Sequence, residues 1–169
     1  MKSISKRGKI AIIAVVAVVI LAAAGFLWLY INASAIRFDY YNARTMVADE
    51  NSDALSEQGF GVDFPYFGNK AVMEDAHVFS FPFGIGEENI PIYQAINTVL
   101  DGWALDVSRE YNNLVKCDYT VENNGKTLTV DFDVTAYPDG LDAEPQMIEK
   151  TFVFDIENVS VDNLPKLIS

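Results

Sequence analysis

The longest apolar stretch of the chain lies near its N-terminus, where no charged residue occurs from Ile10 to Ile31. As a helix, these 22 residues would span about 33 Å, which matches the ~30 Å hydrocarbon core of a bilayer. Trp28 and Tyr30 lie at the far end of the stretch, and amphipathic aromatic residues favour the membrane interface. The pattern predicts a single transmembrane helix over residues 10–31.

Basic residues give this helix a direction in the membrane. The residues that precede it include four basic ones and no acidic one: Lys2, Lys6, Arg7 and Lys9. By the positive-inside rule, residues 1–9 form a cytoplasmic tail and the chain after the helix is extracytoplasmic. A cleaved signal peptide, cut after Ala24 or Ala35, is the alternative. The apolar stretch is long for a signal peptide, so an uncleaved signal anchor is favoured.

A second helical pattern lies in the middle of the chain. Asn89 is a plausible N-cap and Pro91 falls in the first turn. Apolar residues then recur at three- and four-residue spacings: Ile92, Ile96, Val99, Leu100, Trp103, Val107, Tyr111 and Leu114. The opposite face is polar: Asn97, Asp101, Asp106 and Arg109. Such a stripe predicts one amphipathic helix that packs on a core.

Alternating apolar and polar residues predict strands on both sides of this helix. Phe60, Val62 and Phe64 alternate before Pro65, which predicts a short strand that ends at a turn. Residues 77–83 alternate as a second strand, and Phe152, Phe154 and Ile156 share one face of a later strand.

Asn124-Gly125 separates two further alternating stretches and predicts a hairpin with a two-residue turn. The inner pairs would be Val121 with Leu128, Tyr119 with Val130, and Cys117 with Phe132. The outer pairs would be Thr120 with Thr129, Asp118 with Asp131, and Lys116 with Asp133. All inner pairs are apolar and all outer pairs polar, which supports this register.

These elements predict an α+β protein. Its N-terminal transmembrane helix is followed by a neck over residues 32–58 and an extracytoplasmic domain over residues 59–169. In that domain one helix would pack on an antiparallel sheet, a β-meander with the Asn124-Gly125 hairpin. We detect no resemblance to a known family.

Charge restricts the partners of the domain. After the apolar stretch, 8 basic residues stand against 24 acidic ones, a net charge of −16. Such a domain repels nucleic acid and anionic lipid surfaces, so we expect no nucleic-acid binding. One cysteine, Cys117, and one histidine, His77, exclude an intramolecular disulfide and metal sites built from several of these residues.

Acidic residues supply the one candidate site. Asp118 and Asp131 would lie opposite each other on the outer sheet face, with Asp133 two residues further along it. Opposed like charges are destabilising, so a cation or ligand site is one explanation and a solvated acidic face is the other. Asp49, Asn51 and Asp53 match the first three positions of a calcium loop, but Ala54 and Phe60 break the pattern. Asp139, Asp142 and Glu144 form a second acidic turn of no defined motif. We predict no metal centre, cofactor or catalytic set.

The sequence thus favours a non-enzymatic, membrane-anchored extracytoplasmic domain that binds a ligand or serves as an accessory subunit of a membrane or surface complex. One alternative is a cell-surface hydrolase that uses Asp118, Asp131 and Asp133. Another is a structural subunit that oligomerises through the small residues Ala22-Ala23-Ala24-Gly25 of the apolar helix.

Overall fold

A computed structural model describes residues 6–68 and 89–169, and within the first helix it describes the side chains of residues 14–29 and 31. In chain order the elements are α1 (Lys6–Ser34), β1 (Tyr40–Thr45), α2 (Ser52–Glu57), β2 (Val62–Phe67), α3 (Ile90–Glu110), β3 (Val115–Asn123), β4 (Thr127–Ala136), β5 (Gln146–Asp155) and β6 (Lys166–Leu167). The predicted strand over residues 77–83, with His77, lies outside the described residues.

The described strands form two antiparallel sheets, β1-β2 and β3-β4-β5-β6. β2 lies beside β3, and α3 packs against the smaller sheet and, through Trp103, against the larger one. The α+β class and the predicted meander of β3, β4 and β5 are confirmed. Trp103 of α3 shows the packing most directly. Its ring centroid lies 4.4 Å from that of Phe132 on β4 and 5.6 Å from that of Phe152 on β5.

The amphipathic pattern of α3 is confirmed in type and face. Ile92, Ile96 and Leu100 are fully buried, and Pro91 lies in the first turn, where its missing N–H has no helical partner to lose. The helix ends at Glu110 rather than Leu114. Asn112 and Asn113 adopt left-handed φ values of 49° and 65°, which asparagine tolerates better than most residues and which stop a right-handed helix.

The hairpin between β3 and β4 keeps its predicted faces but not its predicted register. Val121 pairs with Val130 rather than Leu128, and Tyr119 pairs with Phe132 rather than Val130. The partners are shifted by two residues. Because side chains alternate with a period of two, such a shift leaves every side chain on its predicted face.

Asn124 explains the shift. It stands before the turn, so that Gly125 (φ 84°) and Lys126 are the central residues. Its side-chain oxygen accepts hydrogen bonds from the backbone N–H groups of Lys126 (2.9 Å) and Thr127 (2.8 Å). A turn centred on Asn124-Gly125 would require positive φ at both residues, whereas this arrangement requires it only at glycine.

The predicted neck over residues 32–58 contains both β1 and α2. β1 pairs along its whole length with β2, from Tyr40 opposite Phe67 to Thr45 opposite Val62. β2 continues through Pro65, so the predicted end of the strand at this proline is wrong. Pro65 lies opposite Asn42 within the two-stranded sheet, where an edge position tolerates a missing N–H.

The described large apolar side chains of α1 are exposed, from 43% at Leu29 to 72% at Leu21. Across the described residues, no helix is both long enough and apolar enough to cross a membrane. The transmembrane span over residues 10–31 stays a prediction.

Candidate functional site

The outer face of the larger sheet carries the three carboxylates singled out from the sequence. The pairing of Asp118 with Asp131 is wrong: Asp118 lies opposite Asp133, and Asp131 lies opposite Thr120. All three still share one face, because the register differs by two residues. Asp118 and Asp133 are exposed, and Asp131 is half-buried.

A fourth acidic residue extends this group. Glu149 on β5 lies opposite Asp133, so that Asp118, Asp133 and Glu149 form one row across three strands. We call these three residues the carboxylate row. Asp131 lies outside this row. Its Oδ1 accepts a hydrogen bond from the Thr151 hydroxyl at 2.6 Å.

The carboxylate row has the character of a solvated acidic surface. Its side chains are exposed, and charges in water are screened over about 8–10 Å at physiological salt. Within the described parts of the chain, no group of three or more His, Cys, Asp or Glu residues is arranged to hold a metal ion. Directly opposed like charges, such as Asp118 and Asp133, destabilise a sheet. A cation or ligand site at Asp118, Asp131 and Asp133 stays a prediction.

Cys117 lies on the inner face of β3 and is half-buried. Burial, with smaller effects from Asp63, Asp118 and Asp133, raises the pKa of its thiol to about 12. Burial and the neighbouring Tyr40 likewise raise the pKa of Tyr119 to about 12. Because thiolates are the nucleophilic form of cysteine, this environment suppresses the reactivity of Cys117.

One two-point ion pair joins β1 to β2. Arg44 donates from Nε to Asp63 Oδ1 (2.6 Å) and from Nη2 to Asp63 Oδ2 (2.8 Å). Its Nη1 also donates to the Ser56 carbonyl at 3.1 Å, and the bond to Asp63 raises the pKa of Arg44. Gly61, with φ 113°, passes so close that an added Cβ would lie 2.8 Å from Met46 Cγ. This arrangement is structural.

In the first acidic loop, residues 49–53, the Asp49 carboxylate makes hydrogen bonds within the fold. Asp49 Oδ1 accepts a hydrogen bond from the backbone N–H of Asn51 (2.8 Å), and Asp49 Oδ2 accepts one from Asn113 Nδ2 (3.1 Å). Ser52 then begins α2. A calcium loop would instead aim these oxygens at a shared ion. The second loop, residues 139–144, is mostly exposed.

Three buried polar side chains of α3 and its C-terminal turn bind the backbone of the smaller sheet and of the segment that follows β1. Asn97 accepts from the Phe67 N–H (2.8 Å) and donates to the Phe67 carbonyl (2.9 Å). Asn113 makes the same two bonds, both 2.8 Å, with Val47. Ser108 donates to the Thr45 carbonyl at 3.1 Å.

Asn97 corrects the sequence interpretation, which placed it on the exposed polar face of the helix. It is only 3% exposed. The signal that identifies it is its spacing, since Tyr93, Asn97, Leu100 and Ala104 follow one another at four, three and four residues on one buried face. A polar residue within a buried stripe needs a partner, and here the partner is a strand backbone.

The segment that follows α1 contacts the domain within three residues of the end of the helix. The Arg37 backbone N–H donates to the Tyr93 hydroxyl at 3.3 Å. Phe38 packs edge-on against Tyr93 and Phe67, with ring centroids 6.4 Å and 6.5 Å away. The Gly68 N–H donates to the Asp39 carbonyl at 2.9 Å. We call this group of contacts the latch.

The fold and these contacts define an α+β domain with an acidic outer sheet face, latched close to the end of a long apolar helix. In three comparisons with known proteins, no family model, no curated protein and no solved structure matches the chain.

Proposed function

We propose that the protein is a membrane-anchored, extracytoplasmic binding or accessory domain that does not act as an enzyme. In this proposal α1 is the anchor, residues 1–9 are cytoplasmic, and the acidic domain is presented outside the membrane to a protein or ligand.

The apolar character of α1 on all sides carries the proposal. Lys6–Ser34 is one helix, and residues 10–31 within it include no charged side chain. A water-exposed helix normally has one apolar face, whereas a helix that is apolar all round is buried in protein or in lipid. The exposure of Val18, Leu21 and Phe26, each 65% or more, supports lipid as the environment.

The use of buried polar groups supports binding rather than catalysis. Asn97 and Ser108 bind the backbones of β2 and β1, and Asn113 binds the backbone of Val47 after β1. The Asp49 carboxylate bonds within its own loop. Burial also raises the pKa of the Cys117 thiol to about 12. These polar and ionisable side chains thus stabilise the fold. The exposed acidic surface is left for recognition.

Membrane extraction tests the anchor. In cells that express the full chain, the protein should stay in the membrane pellet after alkaline carbonate washing. Replacement of both Val16 and Ile20 by Arg should release it, because each charge near the centre of a span costs about 2.5–3.5 kcal/mol. Replacement of both by Leu is the matched control and should be retained. Wild-type protein in the soluble fraction would refute the anchor.

Protease accessibility tests the orientation. In intact cells, added protease should digest the domain, since the basic tail predicts an external C-terminus. If the domain is digested only after the cells are lysed, it lies inside the cell, and the proposed orientation is refuted.

The facing carboxylates Asp118 and Asp133 favour one second candidate, a cell-surface hydrolase. Replacement of Asp118, Asp131 and Asp133 by Asn tests it. As part of a solvated face, the triple variant should be as stable as the wild type or more so, because like charges directly opposed across a sheet are destabilising.

The control for this variant changes the same number of exposed charges outside every candidate site, as Glu57→Gln, Asp106→Asn and Asp162→Asn. Thermal midpoints are measured with and without Ca²⁺ for both variants and the wild type. A Ca²⁺ response that only the first variant loses would favour the hydrolase or cation-site interpretation.

A further inference from the structure

The hydrogen bonds of the latch and of α3 show which end of the domain lies next to the end of α1. Tyr93 is bound beside Arg37, and Asn97 is bound at Phe67, which pairs with Tyr40. Further along, Ser108 is bound at Thr45. α3 and β1 therefore run side by side, and both lead away from the end of α1.

Two poles of the domain follow from this arrangement. The near pole contains residues 36–39, Phe67, Gly68 and Tyr93. The far pole contains residues 47–51 and the C-terminal turn of α3, where Asn113 is bound to Val47. The 21 residues of α3 separate the poles by about 31 Å.

The connection between α1 and the near pole is short. From Ile31 to Ser34 the chain is still helical and rises about 4.5 Å. The three residues from Ser34 to the bound Arg37 span at most about 11 Å. Arg37 therefore lies no more than about 15 Å beyond the apolar stretch, whereas lipid headgroups fill about 5–8 Å on each side of the hydrocarbon core.

We propose that the near pole rests on the lipid headgroups, so that the domain stands upright on the membrane surface and its far pole faces outward. This inference rests on the proposed anchor. The partner of the near pole is the bilayer itself, because the latch leaves too little chain for a stalk. Partners of the protein then approach the far pole and the sides of the domain.

A matched pair of labels on α3 tests this orientation. Gln94 and Glu110 are both exposed and lie in the first and last turns of the same helix, about 24 Å apart along its axis. In full-length protein with Cys117→Ser, a fluorophore is attached at Gln94→Cys or Glu110→Cys. Each protein is reconstituted in phosphatidylcholine vesicles that contain a headgroup-spin-labelled lipid as quencher.

The Gln94 label should be quenched at least about twofold more strongly than the Glu110 label, because only the first lies near the headgroups. An insertion of about twelve Gly and Ser residues after Ala35 adds a root-mean-square reach of about 20 Å and should reduce that difference. Far-ultraviolet circular dichroism checks that each variant is folded.

The outcomes separate this inference from the proposed anchor. If the protein stays in the vesicles but both labels are quenched equally, the upright orientation is refuted and the anchor stands. If the protein does not stay in the vesicles, the anchor fails and this inference fails with it.

Discussion

At the scale of single residues, the buried polar side chains explain how the helix and the smaller sheet are joined. Asn97 and Asn113 each present an amide to one residue of the neighbouring backbone, Phe67 and Val47, and make both an accepting and a donating bond. An amide can therefore continue strand-like pairing where no further strand is present. No described buried side-chain nitrogen or oxygen lacks a partner.

Asn97→Ala tests this role. The substitution leaves the N–H and carbonyl of Phe67 without side-chain partners in a buried site, and each such loss costs about 1–3 kcal/mol. We expect the free energy of unfolding to fall by about 2–4 kcal/mol, measured by urea titration of the full chain. Thr98→Ala, on the neighbouring exposed position, should change it by less than about 0.5 kcal/mol. Equal effects would contradict the assignment.

The pKa of Cys117 leads to a prediction about pH. Its folded value of about 12 lies above the ordinary value of 9.0, so the folded chain holds the thiol proton more tightly than the unfolded chain does. The resulting stability is fully present below pH 9 and is lost as the pH rises towards 12.

Alkylation measures this shift directly, because Cys117 is the only cysteine. At about pH 8, iodoacetamide should modify the folded chain at least about a hundredfold more slowly than the urea-unfolded chain. Mass spectrometry follows both reactions. Similar rates in the two states would show that the thiol is not protected by the fold.

At the scale of elements, the sequence predicts faces better than registers. The stripe of α3 and the alternation of β3 and β4 specify which face of each element is buried, and the structure agrees except at Asn97. The register depends on whether Asn124 is inside or before the turn, a difference of one position that shifts the strand partners by two. Both alternatives bury the same face, so hydrophobic pattern does not distinguish them.

Two glycines test the element assignments with one substitution each. Gly125 has φ 84° in the turn, so Gly125→Ala should lower the free energy of unfolding by about 1–2 kcal/mol. Gly102 lies within α3, and an added Cβ there would meet nothing within 4 Å. Gly102→Ala should therefore raise the free energy of unfolding by about 0.5–1 kcal/mol. The opposite signs are checked by thermal unfolding, and a gain at Gly125 would contradict the turn.

The candidate site was predicted in part for the same reason. The common face of Asp118, Asp131 and Asp133 follows from alternation alone, and the structure keeps it. Glu149 was missed because its place opposite Asp133 depends on the pairing of β4 with β5 across a long loop, which carries no short-range turn signal. β1 was missed because Tyr40–Thr45 does not alternate clearly between apolar and polar residues.

At the scale of the whole molecule, the latch decides how the apolar helix and the acidic domain relate to each other. The segment after α1 contacts the domain through Arg37 and Phe38. We expect the fold of the domain to depend on Phe38 but not on α1. Phe38 packs against the main core, whereas Ile36 is 36% exposed.

Removal of residues 1–35 should leave the unfolding free energy of the domain unchanged within about 0.5 kcal/mol. It also removes Trp28, so that Trp103, packed against Phe132, reports unfolding alone. In this shortened chain, Phe38→Ala should lower the stability by about 1–3 kcal/mol through lost burial. Ile36→Ala should have little effect. A shortened chain that does not unfold cooperatively would show that α1 is part of the folding unit, and the latch would then be a secondary contact rather than the junction between two independent parts.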